Sequence, residues 1–233
     1  MRIKQTLLTA VTGLALAGIT CIGVTNANTI SAKVLVKNLA KTAPAKWVFG
    51  SSKKIGNGKA SSFVKLDSTG NPPALGYMFR DKCLTGFNHL ELDWNAQGHD
   101  PKPIYGVPHF DFHFYLCDDA ILNMVMGGPD KVPVETKYIP TNYVSGEMSV
   151  PHMGTHWMDQ LTPEFHGKPF TVTYIYGFYQ GDMKFVEPMI SLNLLQSKKP
   201  FHLTLKQSQA FQHHAWYPRQ MRLEYNSTSH NFF

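Results

Sequence analysis

The sequence predicts a mainly β fold, an antiparallel β-sandwich or barrel of jelly-roll-like type with little helix. Three observations carry that expectation. Short apolar runs recur at strand length between turn-forming residues. The 233 residues are 12% aromatic and only 16% charged, a balance that suits strands with at least one buried face. Helical periodicity is sparse throughout.

In chain order, residues 62–66 and 74–79 read as two strands around the turn Asp67-Ser68-Thr69-Gly70-Asn71-Pro72-Pro73. Further apolar or alternating runs mark strands at 86–94, 109–117, 170–179, 185–195, 201–206 and 220–225, with Gln180-Gly181-Asp182 as a tight turn between the fifth and sixth of these eight strands. Residues 118–126 and 163–166 have room for a turn or two of helix, and Gly127-Gly128-Pro129 stops the first. Val150 to Asp159, containing Pro151 and Gly154, reads as a turn-like segment. No repeat of fixed period is visible. The domain plan is therefore a signal peptide at 1–27, a Lys-rich flexible leader at 28–60 and a single β-rich domain at 61–233.

The first segment carries Arg2 and Lys4, then an apolar run from Leu7 to Gly18, then small residues ending at Ala27. That order is the order of a secretory signal, so the expected location is exported, periplasmic or extracellular, with no stable membrane span after cleavage. An oxidising compartment leaves Cys83 and Cys117 either bridged, closing a loop worth about 3–4 kcal/mol, or as two buried thiols. The net charge of +6 comes from the leader: residues 28–66 hold eight Lys and no acid, while residues 67–233 hold 12 basic and 16 acidic side chains. The body is thus acidic, and nucleic acid is not an expected partner.

The chemistry concentrates in His109-Phe110-Asp111-Phe112-His113-Phe114-Tyr115-Leu116-Cys117. Period-2 alternation sends the Phe residues to one face and His109, Asp111 and His113 to the other. Strand residues two apart lie about 6.7 Å apart and residues four apart about 13 Å. A His nitrogen must come within about 2.1 Å of an ion, so His109 and His113 are not expected to share one. Asp111 pairs with either, and other strands must complete the site. His156, within Pro151-His152-Met153-Gly154-Thr155-His156, is one candidate. Glu187 is another, because an acid in an apolar run needs a partner. His99, in the loop just upstream, is within reach.

The expected ligand set is therefore His109, Asp111, His113, His156 and Glu187, and the expected cofactor is a divalent metal: zinc, iron or manganese. The enzymatic form of such a site is a metal-dependent hydrolase or oxidoreductase acting on a small molecule that the sequence does not name. The other reading is a non-catalytic envelope or secreted protein of binding or assembly, with a structural His-Asp network. Aromatic content leaves self-association into a homo-oligomer open. Nucleophile elbows, phosphate loops, dinucleotide glycine patterns and HExxH are absent from the sequence.

Several motifs in order, Trp94-Asn95, Gly98-His99-Asp100-Pro101, Pro108-His109-Phe110-Asp111-Phe112-His113, Val150-Pro151, Met153-Gly154, His156-Trp157, Ile175-Tyr176-Gly177 and Phe185-Val186-Glu187-Pro188-Met189, resemble the TTHB-type domain of unknown function. That family is mostly bacterial and often exported. The resemblance covers about residues 56–195 and implies a single exported domain with attention on the same His and Glu positions, without naming a reaction. The His-x-Asp-x-His strand and the 151–156 segment also resemble the metal motifs of cupins, with Asp111 standing where a cupin has His.

Overall fold

Alternation of side chains on successive strand residues dictates which face each one joins, and one long antiparallel sheet follows from it. The computed structural model describes residues 86–228 apart from 214 and 216, together with strand backbone at 47–55, 58–65, 74–80 and 231–232. The signal segment at 1–27 and Cys83 lie outside the described residues. Ten strands form the sheet: β1 (Trp47–Ile55), β2 (Gly58–Lys65), β3 (Ala74–Arg80), β4 (His89–Asn95), β5 (His109–Tyr115), β6 (Gly128–Pro129), β7 (Tyr143–Val150), β8 (Gly154–Asp159), β9 (Val172–Tyr179) and β10 (Asp182–Ser191). Their order is β1-β2-β3-β4-β5-β10-β9-β8-β7-β6. Two meanders therefore meet where β5 pairs with β10, and the sheet stays open at β1 and β6.

A second sheet, β11 (Phe201–Thr204) with β12 (Gln220–Leu223), covers one face of the first. Leu90, Leu92, Phe110, Phe112 and Phe114 from β4 and β5 form a single core with Tyr174, Tyr176, Val186, Leu205, Met221 and Leu223. The Tyr176 hydroxyl donates to the Lys206 carbonyl at 2.8 Å and ties the layers together. The architecture is thus mainly antiparallel β with short helices, and two sheets share one apolar core.

The structure departs from the sequence reading at three places. The Lys-rich stretch expected as a leader at 28–60 contains β1 and the start of β2, which pair with each other and with β3. Composition signals solvation of side chains, whereas strand pairing is made by the backbone. The turn-like 150–159 segment is a hairpin: Val150 pairs with Gly154 and Tyr143 with Asp159. Its turn holds His152 at φ 67°, and β8 begins at Gly154, whose φ of 128° excludes a side chain. The strand expected to run to residue 195 ends at Ser191, whose Oγ accepts from the Leu194 amide and starts the helix Leu192–Ser197.

Candidate metal centre

β5 is buried along its whole length. Its Phe face joins the main core, and its other face carries the polar row. Register fixes the neighbours of that row. Across β4, Glu91 lies opposite His113, Asp93 opposite Asp111 and Asn95 opposite His109. Across β10, the pairs Val186 with Phe114 and Met189 with Asp111 bring Glu187 beside His113. β8 enters through β9, where His156 and Phe185 both pair with Gly177. A side chain on Gly177 would overlap the Phe185 ring, so the missing Cβ is what lets that ring cross β9 and meet His156 and His113 edge-on.

The five residues expected as ligands divide into two groups, each completed to two imidazoles and one carboxylate. His99, His109 and Asp111 form one, and His113, His156 and Glu187 the other. His109 and His113 fall in different groups, as the strand rise requires. In the first, His109 Nε2 lies 3.2 Å from Asp111 Oδ1 and His99 Nε2 lies 3.3 Å from Asp111 Oδ2. In the second, His113 Nε2 lies 3.3 Å from Glu187 Oε1 and His156 Nε2 lies 3.4 Å from Glu187 Oε2. In each group one ligand atom from every residue lies within 4.8 Å of the others, close enough to share an ion. A third grouping, Glu91, Asp119 and His152, is also close enough to hold an ion.

The second nitrogens of His99 and His109 are tied down. His99 Nδ1 donates to the Asp100 carbonyl at 2.7 Å and His109 Nδ1 to the Val107 carbonyl at 2.6 Å. A carbonyl only accepts, so each Nδ1 carries the proton. His113 Nδ1 faces Asp93 Oδ2 at 3.2 Å, and Asn95 Nδ2 donates to Asp111 Oδ2 at 2.6 Å. Metal-binding His residues are held in this way by carbonyl or carboxylate partners. His113 Nε2, Glu187 Oε2, His109 Nε2 and Asp111 Oδ1 are buried without a hydrogen-bond partner.

Electrostatics follows from burial and from the neighbours. Burial alone would lower His113, but Glu187 and Asp93 outweigh it and raise it to about 10. Burial pushes the Glu187 carboxyl up, against the pull of His113. Burial and then His113 lower His156 to about 3, leaving a neutral imidazole. Burial acts against ionised Asp111, yet His109 and His99 hold it below the usual carboxylate range. Apolar groups close the ends of the row: Tyr105, Phe170, Ile175 and Met189 beyond the first group, and Tyr115, Leu122 and Phe185 beyond the second.

Asp93 and Asn95 were missed from sequence although a signal for them exists. His89-Leu90-Glu91-Leu92-Asp93-Trp94-Asn95 alternates as cleanly as β5 does. His213 is a surface residue bonded to Asp182. His89 is buried and stacks on Tyr115. Cys117 is a free thiol, which burial pushes up to about 11.

Fold and site together define a class: a mainly antiparallel β protein with groups of His, Asp and Glu close enough to hold a metal ion on one sheet face. No protein-family model matches the chain, and no curated protein or solved structure is significantly similar to it.

Proposed function

We propose that this chain is an exported metalloprotein of the TTHB-type domain family whose resident divalent ion sits between His113, His156 and Glu187. One observation carries the reading. Glu187, 1% exposed, lies between two imidazole Nε2 atoms at 3.3 and 3.4 Å, and its Oε2 and His113 Nε2 are buried without hydrogen-bond partners. Two imidazoles and one carboxylate form a ligand set used for catalytic zinc and for non-haem iron, and both leave coordination positions open. Such an ion supplies Lewis acidity and an activated water, which makes metal-assisted hydrolysis or oxidation the reaction class. The chain supplies the rest. Asp93 orients His113, and Phe185 and Tyr115 exclude water from the buried side, while partly exposed His156 marks the open side.

Elemental mass spectrometry on protein purified without a His tag or chelating resin tests this. At least one zinc, iron or manganese per chain is expected, with the loss of one ion per chain in both His113→Ala and Glu187→Gln. A protein that takes up no metal on reconstitution, or variants that keep all of it, would return the row to a structural network in a non-catalytic binding protein.

A further inference from the structure

We infer that His99, His109 and Asp111 form a second metal site that exchanges its ion more readily than the first, so that each chain takes two divalent ions along β5. The inference goes beyond the ion at Glu187 and rests on different residues. Its basis is the convergence of three ligand atoms around buried polar atoms. With the Nδ1 atoms of His99 and His109 committed to carbonyl oxygens, the Nε2 atoms are the ones turned to the Asp111 carboxylate, at 3.3 and 3.2 Å. His109 and Asp111 are 0% and 3% exposed, and His109 Nε2 and Asp111 Oδ1 have no hydrogen-bond partner.

Neighbouring groups hold the ligands in place. Asn95 Nδ2 fixes Asp111 through Oδ2, which leaves Oδ1 facing His109. Phe170 packs edge-on against the His109 ring at 5.5 Å, and Tyr105 packs edge-on against Phe170. Charge favours a cation here: Asp93 stands directly opposite Asp111 on the neighbouring strand, and like charges so placed repel.

Exchangeability follows from where the third ligand sits. The His113 and Glu187 side chains are each 2% exposed, whereas that of His99 is 37% exposed. His99 also comes from a loop rather than a strand. That loop is ordered by Lys102, whose Nζ donates to the Gln97 and Gly98 carbonyls, and by Gly98, where a side chain would strike the Tyr105 carbonyl. The ligand is therefore held in place yet reachable from water. The donor set of two imidazoles and one carboxylate suits zinc, iron(II), manganese or cobalt.

The test is a titration of the metal-free full-length chain with Co(II), read by visible absorption and repeated with Zn(II) by calorimetry. Two equivalents are expected, the second binding at least tenfold more weakly and leaving first on dialysis against a mild chelator. His99→Ala should remove the weaker equivalent and leave the stronger one unchanged, and His99→Gln should do the same. Glu187→Gln should remove the stronger and keep the weaker. Saturation at one equivalent that His99→Ala leaves intact, or two equivalents unaffected by His99→Ala, would overturn the second site. A Glu187→Gln protein that still binds the stronger equivalent, while His99→Ala loses the weaker, would overturn the first site and leave the second standing. The His99 ring packs against Tyr105 and His109, so far-ultraviolet circular dichroism checks that both variants stay folded.

Discussion

Two imidazoles of one site are pushed in opposite directions, His113 up to about 10 and His156 down to about 3, and each direction has a consequence that can be measured. His113 is raised above its unfolded value, so its proton stabilises the metal-free fold in full below about pH 6.5, and that stability drains away as pH rises towards 10. His156 is depressed, so unfolding takes up a proton below about pH 6.5 and stability falls as pH drops towards 3. Glu187, raised by burial, costs stability as pH climbs from about 4.5 and offsets the His156 gain, so the metal-free protein should melt highest between about pH 4.5 and 6.5. Thermal melts in chelator should show His113→Ala flattening the alkaline limb and His156→Ala the acid limb. An incoming ion must displace the His113 proton, so zinc affinity at this site should rise by at least about tenfold per pH unit from pH 6.5 towards 10, a slope that calorimetry on the native chain reads. Much of this was legible in the sequence. Phe on one side of β5 and His, Asp and His on the other gave the row, and the strand rise separated His109 from His113. The pairing of His156 with Glu187 was not legible, because it depends on Gly177 and on the β8–β9–β10 register, which are contacts distant in sequence.

At the scale of the element, the site is a property of register. β5 meets β4 and β10 without irregularity around the row, whereas β10 shifts against β9 between Met183 and Phe185, just where Phe185 turns across Gly177. Gly177→Ala should overpack this crossing and cost about 1–3 kcal/mol in chemical denaturation. It should also perturb the Co(II) spectrum of the stronger site, since the Phe185 ring touches both imidazoles. Elements with strong alternation, β4, β5, β9 and β10, stand out in the sequence, and β7–β8 does not. Gly146, Glu147 and the Pro151-to-Gly154 turn interrupt its apolar pattern, and a bulge between Ser145 and Ser149 breaks its pairing. Such irregular hairpins are held by their neighbours rather than by propensity.

The whole molecule separates its stability from its chemistry by face. The second sheet covers the Phe side only, through Leu205, Met221 and Leu223, and Lys206 bonds Asp159 across the layers at 2.6 Å. Leu223→Ala, 2% exposed in the native chain, should cost about 2–5 kcal/mol by denaturant titration while leaving the number of ions bound per folded chain unchanged. A coupled loss of both would show that the faces are not independent. The two-layer character could be read from strand spacing, but the joining of the two meanders at β5 and β10 could not, because nothing local specifies which distant strands pair. That junction has an evolutionary consequence. Along β5 the even positions answer to the hydrophobic interior and the odd positions to the ligands, so a single inserted or deleted residue would exchange the two sets at once. Descent with changed chemistry is thereby confined to substitution at odd positions, and length variation among relatives should gather in the connections and leave this strand untouched.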